Sequence, residues 1–182
     1  MNRRQRLRRA RIRLLCWFGP PGLAALLWLV GLLLPARHVE EERTDFTVSA
    51  ETVWAVLTDL DGMPTWRRGI QALERLPDVE GQVRWIEVRS AGRSTTYQRV
   101  ESVSPRRLVV QSSEPGRRWV YDIRVLDRGS ELTVREEREL RNPIMRTVLG
   151  IFGDRARLNA LTADLARRLA GRRDQLASRA AD

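Results

Sequence analysis

The sequence predicts an α+β domain in which an antiparallel sheet packs against a long C-terminal helix, preceded by one membrane-spanning helix. Three observations support this fold class. Residues 14–34 form an uncharged apolar run, residues 70–140 contain strand-like segments separated by turn residues, and residues 142–171 repeat apolar side chains at helical spacing. With 182 residues, the chain is long enough for one domain with a core plus accessory segments.

The apolar run at 14–34 predicts a transmembrane signal-anchor. Its length of about 21 residues, at about 1.5 Å per residue, matches the roughly 30 Å hydrocarbon core of a bilayer. Trp17 and Trp28 lie near its ends, where tryptophan favours the membrane interface. Prolines at 20–21 interrupt the helix, so the uninterrupted apolar segment is only 22–34, which is also the length of the apolar region of a cleaved signal peptide. A small-residue cleavage site is missing at 34–36, which favours an uncleaved anchor.

Basic residues are concentrated at the N-terminus. Residues 1–13 contain seven of the 33 basic residues, and no acidic residue precedes Glu40. Such a cluster beside an apolar run is typical of a topogenic signal, and it argues against nucleic-acid binding. We expect a cytoplasmic N-terminus, a bilayer as partner and an extracytoplasmic C-terminal domain on a single-pass membrane protein.

The predicted organisation has four parts: an Arg-rich cytoplasmic N-terminus at 1–13, the anchor at 14–34, a folded domain at 35–171 and a polar tail at 172–182. The folded domain begins with a strand at 39–48, a helix capped by Ser49, and a short helix at 63–66. The strands predicted next lie at 70–76, 83–90, 94–103, 107–112, 119–126 and 131–140.

A long amphipathic helix is predicted to cover the sheet. Asn142 is a suitable cap, Pro143 suits the first helical position, and Gly171 is expected to end the helix. Gly150 and Gly153 interrupt it, and they either permit a kink or mobile lid or are simply tolerated. The apolar stripe of this helix consists of Ile144, Val148, Ile151, Leu158, Leu161, Leu165 and Leu169.

Several chemistries lack the residues they need. Cys16 is the one cysteine and His38 the one histidine, so a disulfide, a His/Cys metal site and a Cys–His nucleophile are not expected. No phosphate-binding glycine loop is present. We therefore assign no metal, no cofactor and no catalytic residue. An enzyme that acts by shaping a reactive substrate remains open.

Alternation along the later strands identifies candidate ligand-binding residues. Trp119, Tyr121, Ile123 and Val125 are expected on one inward face, and the following strand directs Glu136 inward as well. The alternative is that these are ordinary core residues. The complete candidate set is Trp66, Trp85, Tyr97, Trp119, Tyr121, Ile123, Leu132, Val134, Glu136, Val148 and Phe152.

Two polar or mobile features have open interpretations. Glu136 and Arg138 either orient the polar group of a ligand or form a weak salt bridge at the rim. Phe152, between the two glycines of the long helix, is a candidate gate residue.

Four segments carry a resemblance to a known superfamily: Val-Ser-Ala-Glu-Thr-Val-Trp-Ala-Val-Leu-Thr-Asp at 48–59, Pro-Thr-Trp at 64–66, Gly-Gln-Val-Arg at 81–84 and Ser-Pro-Arg-Arg-Leu at 104–108. Over residues 38–170 the chain resembles the START/Bet v 1-like (SRPBCC) superfamily, in particular its bacterial polyketide cyclase/dehydrase and lipid-transport branch. The resemblance implies a helix-grip fold, with about seven antiparallel strands around the long helix and a cavity between them.

The resemblance implies several possible functions, because members bind lipids, sterols, quinones or hormones, or cyclise polyketides. Fold alone does not choose among these functions. We expect a membrane-anchored binding or carrier module for a small hydrophobic ligand such as a lipid, quinone or polycyclic molecule. The alternatives are a polyketide cyclase/dehydratase-like enzyme and a tethered interaction module without a ligand.

Overall fold

The computed structural model describes residues 20–114, 116–153 and 155–179. Seven strands in this part of the chain form one sheet in the order β1-β7-β6-β5-β4-β3-β2, with antiparallel pairing from β2 through β7. The elements are α1 (20–33), β1 (Arg37–Phe46), α2 (Ala50–Thr58), α3 (Met63–Trp66), β2 (Ile70–Val79), β3 (Gln82–Arg89), β4 (Ser94–Val103), β5 (Arg107–Ser112), β6 (Arg117–Leu126), β7 (Gly129–Glu139), α4 (Pro143–Phe152) and α5 (Ala156–Arg179).

The chain forms two compact units. Within the described residues, the first unit contains 20–38 and Glu139–Gly153, and the second contains Val39–Arg138 and 155–179. The second unit thus holds nearly all of the sheet together with α2, α3 and α5.

The core of the second unit lies against one face of the sheet, which we call the inner face. Burial alternates along β7, as predicted, and the predicted inward residues Tyr121, Ile123 and Val134 lie in this core. Along β6 the alternation is incomplete, because Val120, between Trp119 and Tyr121, is buried as well. The alternation ends before Val125, which is exposed near the end of its strand, contrary to prediction. Helix α5 covers the inner face with Leu158, Leu161, Leu165 and Leu169.

The predicted helix starts are confirmed by their caps. The Ser49 hydroxyl accepts a hydrogen bond from the backbone N–H of Thr52 at 3.4 Å, before α2. The Asn142 side chain accepts one from the backbone N–H of Ile144 at 2.9 Å, and Pro143 begins α4. Both side chains satisfy donors that the first helical turn leaves without a backbone partner.

The prediction of one continuous helix from 142 to 171 is wrong. Helix α4 ends at Phe152, and the next residue, Gly153, has a φ of +64° and a ψ of −178°, a combination that essentially only glycine adopts. The apolar stripe therefore belongs to two helices in different units, and Ile151 is exposed. Gly171 does not end α5, which continues to Arg179, because one glycine costs a helix only about 1 kcal/mol.

Strand β2 also differs from its prediction. Pro77 and Asp78 were expected to form the turn, but β2 continues to Val79 and turns at Glu80 and Gly81, both with positive φ. Proline is tolerated because β2 is the last strand of the sheet and its ladder is irregular between Leu76 and Val79.

In the first unit, α1 packs closely against α4. The Thr147 hydroxyl donates a hydrogen bond to the Leu27 carbonyl at 2.7 Å. A Cβ on Gly31 would lie 1.8 Å from the carbonyl oxygen of Pro143, so only glycine fits at this approach. The backbone N–H of Leu140 donates to the carbonyl of Ala36 at 2.7 Å.

The predicted anchor lies only partly within the described residues. Residues 14–19 and the Arg-rich segment at 1–13 are outside them. Among the residues described, the structure contains no helix with the length and apolar character needed to cross a membrane.

Gly129, at the start of β7, provides a test of the sheet geometry. Its φ is +103°, and a Cβ there would lie 2.0 Å from the carbonyl oxygen of Phe46. We expect Gly129→Ala to lower the free energy of unfolding by about 1–3 kcal/mol or more, as measured by chemical denaturation. The matched control is Gly171→Ala in α5, where nothing lies within 4 Å; it should raise stability by up to about 1 kcal/mol. Equal effects of the two substitutions would contradict the turn geometry.

Candidate functional site

A small cavity lies within the second unit, where the inner face of the sheet meets α2, α3 and α5. Its volume is about 30 Å³. The five predicted aromatic residues all line it: Trp66, Trp85, Tyr97, Trp119 and Tyr121. A volume of this order holds one or two water molecules, so the interior is almost filled by side chains.

Strand register brings three of these rings together. Trp85 on β3 is directly opposite Tyr97 on β4, and their rings stack with centroids 5.8 Å apart at an interplanar angle of 22°. The ring of Tyr97 also contacts that of Trp119 at 5.5 Å with a tilt of 59°. Such offset and tilted pairs contribute about 0.5–1.5 kcal/mol each beyond the area that they bury.

Three residues of the cavity wall carry buried N–H groups without a protein acceptor. These are the indole Nε1 of Trp66, the indole Nε1 of Trp85 and the guanidinium Nε of Arg99. Burial lowers the pKa of Arg99, and repulsion from Arg75 lowers it further. Buried donors in proteins are nearly always hydrogen-bonded. The wall can therefore accommodate a carbonyl or another acceptor group.

Glu87 is the carboxylate of this wall, and it is almost fully buried. Its Oε1 accepts a hydrogen bond from Arg67 Nη1, and its Oε2 accepts one from Arg89 Nη2, both at 2.9 Å. The same Arg89 nitrogen lies 3.1 Å from the Tyr97 hydroxyl. Burial lowers the pKa of Arg67, but the charge and hydrogen bond of Glu87, together with the nearby Tyr121 and Tyr97, raise it overall.

Glu136 forms a second buried ion cluster. Its carboxylate accepts hydrogen bonds from Arg117 Nε at 2.8 Å and from Arg138 Nε and Nη2 at 2.8 and 3.0 Å. The guanidinium of Arg117 also lies 4.7 Å from the centroid of the Trp119 ring. The salt bridge between Glu136 and Arg138, one of the two interpretations from the sequence, is present, but its expected position at an exposed rim is wrong because Glu136 is 1% exposed. The alternation that directed Glu136 inward is confirmed.

The remaining candidates lie elsewhere. Ile123, Leu132 and Val134 are core residues that are not among those lining the cavity. Val148 and Phe152 belong to α4 in the first unit; Val148 is half-buried and Phe152 is exposed. The role of Phe152 as a gate stays a prediction.

A larger recess of about 250 Å³ opens on the same unit, next to the N-terminal half of α5. Arg67, Trp119 and Leu161 line both the recess and the inner cavity. Sequence reasoning missed this recess, since its arginines lie in the α3–β2 connection, at the end of β3, in the β3–β4 turn and on α5. With 33 basic residues in the chain, no single arginine is distinctive.

The site provides hydrogen-bond donors and aromatic surface. In the described part of the chain, no group of three or more His, Cys, Asp or Glu side chains is placed to hold a metal ion. Burial raises the pKa of Tyr121 to about 12, and burial and nearby Glu87 raise that of Tyr97. Both phenols therefore stay protonated at neutral pH.

The sheet order, the covering helix and the enclosed aromatic cavity define a START/Bet v 1-type domain. The chain belongs to the polyketide cyclase/dehydrase and lipid transport family, whose model matches residues 37–180. No curated protein is significantly similar to the sequence.

Solved structures share this fold at low identity. A norcoclaurine synthase mutant from Thalictrum flavum, in complex with a transition-state analogue, has a TM-score of 0.61 and 12% identity, covering 75% of this chain and 96% of its own. A START superfamily protein from Mycobacterium smegmatis has a TM-score of 0.55 and 17% identity, covering 74% and 98%. The Zhui aromatase/cyclase from Streptomyces sp. R1128 has a TM-score of 0.54 and 18% identity, covering 73% and 96%. These similarities establish the fold alone.

The buried phenols predict alkaline sensitivity. Because the pKa of Tyr121 is raised from about 10 to about 12, the native state retains a proton that the unfolded chain loses. The stability from this residue is fully present below pH 10 and falls as the pH rises towards about 12, by about 2–3 kcal/mol. The sequence has two tyrosines, so Tyr97→Phe leaves Tyr121 as the sole phenol to follow by phenolate absorbance. A midpoint near 10 in the folded Tyr97→Phe variant would contradict burial of Tyr121.

Proposed function

We propose that this chain is a membrane-anchored binding or carrier module for a small hydrophobic ligand, which it holds between the sheet and α5. The observation that carries the proposal is the cavity wall itself. It combines five aromatic rings with the unpaired buried N–H groups of Trp66, Trp85 and Arg99. A ligand with an apolar body and a carbonyl or other acceptor satisfies both features, as is usual in ligand pockets.

The cavity has to enlarge to take such a ligand. A volume of about 30 Å³ is far smaller than a ring system. The recess of about 250 Å³ lies beyond a wall formed by Arg67, Trp119 and Leu161. Displacement of these side chains joins the two spaces, so the recess is the proposed entrance.

The wall favours binding over acid–base catalysis. A cyclisation by proton abstraction needs a base with a free lone pair facing the substrate. Glu87 is the carboxylate that lines the cavity, and guanidinium groups occupy both of its oxygens. Tyr121 remains a protonated donor because its pKa is about 12.

The test of ligand binding is a pair of tryptophan substitutions on α5. Leu161→Trp fills the wall between cavity and recess, whereas Ala163→Trp adds the same ring at an exposed position of the helix. Full-length protein is purified, and co-purifying small molecules are extracted and quantified by mass spectrometry. We expect a defined hydrophobic molecule with wild type and Ala163→Trp, and at least about tenfold less with Leu161→Trp.

Circular dichroism checks that both variants are folded. Equal amounts of bound molecule in all three proteins would indicate surface-bound lipid and would contradict the proposed cavity. Turnover of a poly-ketone substrate by wild type, abolished by Leu161→Trp, would replace the carrier function with a cyclase function.

The membrane anchor is the second part of the proposal. It is supported by the uncharged run at 14–34 and the seven arginines at 1–13. In α1, the leucines at positions 23, 26, 29 and 33 are exposed, which a bilayer would cover.

A reporter fusion tests the anchor and its orientation. A reporter active only outside the cytoplasm, fused after Asp182, should be active and should sediment with membranes. Replacing the arginines at 3–13 with glutamine should reduce or reverse this orientation, because arginines flanking a span are retained in the cytoplasm. Activity of a cytoplasm-specific reporter on the wild-type chain would refute the assigned topology.

A further inference from the structure

The recess beside α5 is strongly basic. One carboxylate, Asp164, lines it, and the backbone N–H of Arg68 donates to this group at 2.7 Å. Arg167 on the next turn of α5 also binds Asp164. Five arginines line the same recess: Arg67, Arg68, Arg89, Arg93 and Arg157.

Buried carboxylates neutralise only part of this charge. Glu87 pairs with Arg67 and Arg89 at 2.9 Å each. Arg157 lies 3.8 Å from Glu136, a long contact to a carboxylate whose oxygens already accept three shorter hydrogen bonds. Across the described residues, no carboxylate lies within salt-bridge distance of Arg93.

Arg89, which lines the recess, also has a buried donor without an acceptor. The Nε of Arg89 is buried and has no protein partner, although its Nη2 is bound to Glu87 and Tyr97. A guanidinium with one edge occupied and another unsatisfied can bind a further oxygen. This observation is independent of the net charge, and it indicates an oxygen ligand.

The recess also has an apolar side. Ile70, Trp119, Leu158 and Leu161 line it, and Trp119 and Leu161 continue into the aromatic cavity. Its volume of about 250 Å³ exceeds the roughly 150 Å³ that is enough for a benzene ring in an apolar cavity. The charged and apolar sides therefore fit one amphipathic molecule.

We propose that the recess binds the oxyanion group of an amphipathic acid, a carboxylate or phosphate, whose ring or chain extends towards the aromatic cavity. Arg93 and Arg157 provide the charge, since Glu87 holds Arg67 and Arg89 at 2.9 Å and the guanidinium of Arg68 lies 3.9 Å from Asp164, the one carboxylate that lines the recess. Guanidinium groups suit this role because their planar donors match carboxylate and phosphate oxygens. The inference rests on the proposed function and adds the chemical class of the ligand.

Three naphthalene compounds test this inference: 2-naphthoate, 2-naphthyl phosphate and uncharged 2-naphthalenemethanol. Binding to the full chain in detergent is measured by calorimetry, with empty micelles subtracted. We expect at least one of the two anions to bind about tenfold more tightly than the alcohol at low salt, and the difference to shrink as salt increases. The tighter of the two anions identifies the head group.

Substitutions separate the charged contact from the apolar cavity. The double variant Arg93→Gln/Arg157→Gln should lower the affinity for the anions to that of the alcohol and leave binding of the alcohol unchanged. Arg124→Gln, an exposed arginine on β6, is the matched control and should change neither.

The outcomes distinguish the two proposals. Equal, salt-independent binding of all three compounds would overturn the oxyanion site but leave the apolar cavity standing. Binding of anions that the double variant retains would also overturn the site. Failure of all three compounds to bind would overturn the ligand-binding function together with this inference.

Discussion

The stability of the inner face of the sheet depends on how two buried carboxylates, Glu87 and Glu136, are paired with cations. A buried carboxylate without a cation costs several kcal/mol, and removing one partner of a buried pair costs about 3–5 kcal/mol. Glu87 is therefore tolerable only while Arg67, at the end of α3, and Arg89, on β3, remain in place. Since Arg67 follows directly after α3, this ion cluster also holds α3 at the edge of the cavity. The position of the cavity wall thus depends on electrostatics as much as on packing.

The same clusters divide the arginines into two kinds. Some, such as Arg67 and Arg117, are paired with buried carboxylates, which offset part of their charge. Others, above all Arg93, remain uncompensated at the recess. A ligand moving inwards therefore meets the uncompensated charge of Arg93 first, and the indole N–H groups and paired guanidinium groups of the cavity afterwards. This arrangement favours molecules with one anionic end and an apolar body, because a charged group on the inner part of the ligand would lose its hydration in the cavity.

Local sequence patterns predicted most of the helices and strands, but they could not predict ion pairs between residues far apart in the sequence. Strand alternation and the capping side chains of Ser49 and Asn142 act within a few residues, so the sequence shows them directly. Alternation also directed Trp119 and Tyr121 inward. The pairing of Arg67 with Glu87 spans 20 residues, and among so many arginines no pattern identifies it. The sequence left two interpretations of Gly150 and Gly153 open, a kink or tolerated glycines, because one glycine costs a helix only about 1 kcal/mol and the apolar stripe continues past both.

The three residues that separate the recess from the cavity are held in place by interactions of different strength. Arg67 is fixed by its pair with Glu87, and Trp119 lies between the guanidinium of Arg117 and the ring of Tyr97. Leu161, by contrast, is held by apolar contacts of α5, which change gradually with small shifts of the helix. Rotation of the Leu161 side chain breaks no ion pair, whereas moving either of the other two groups breaks a polar or aromatic contact. Moving the whole of α5 costs more, because buried Asp164 on this helix accepts a hydrogen bond from the backbone N–H of Arg68 at 2.7 Å. The Leu161 side chain is therefore the part of the wall whose displacement admits a ligand at least cost.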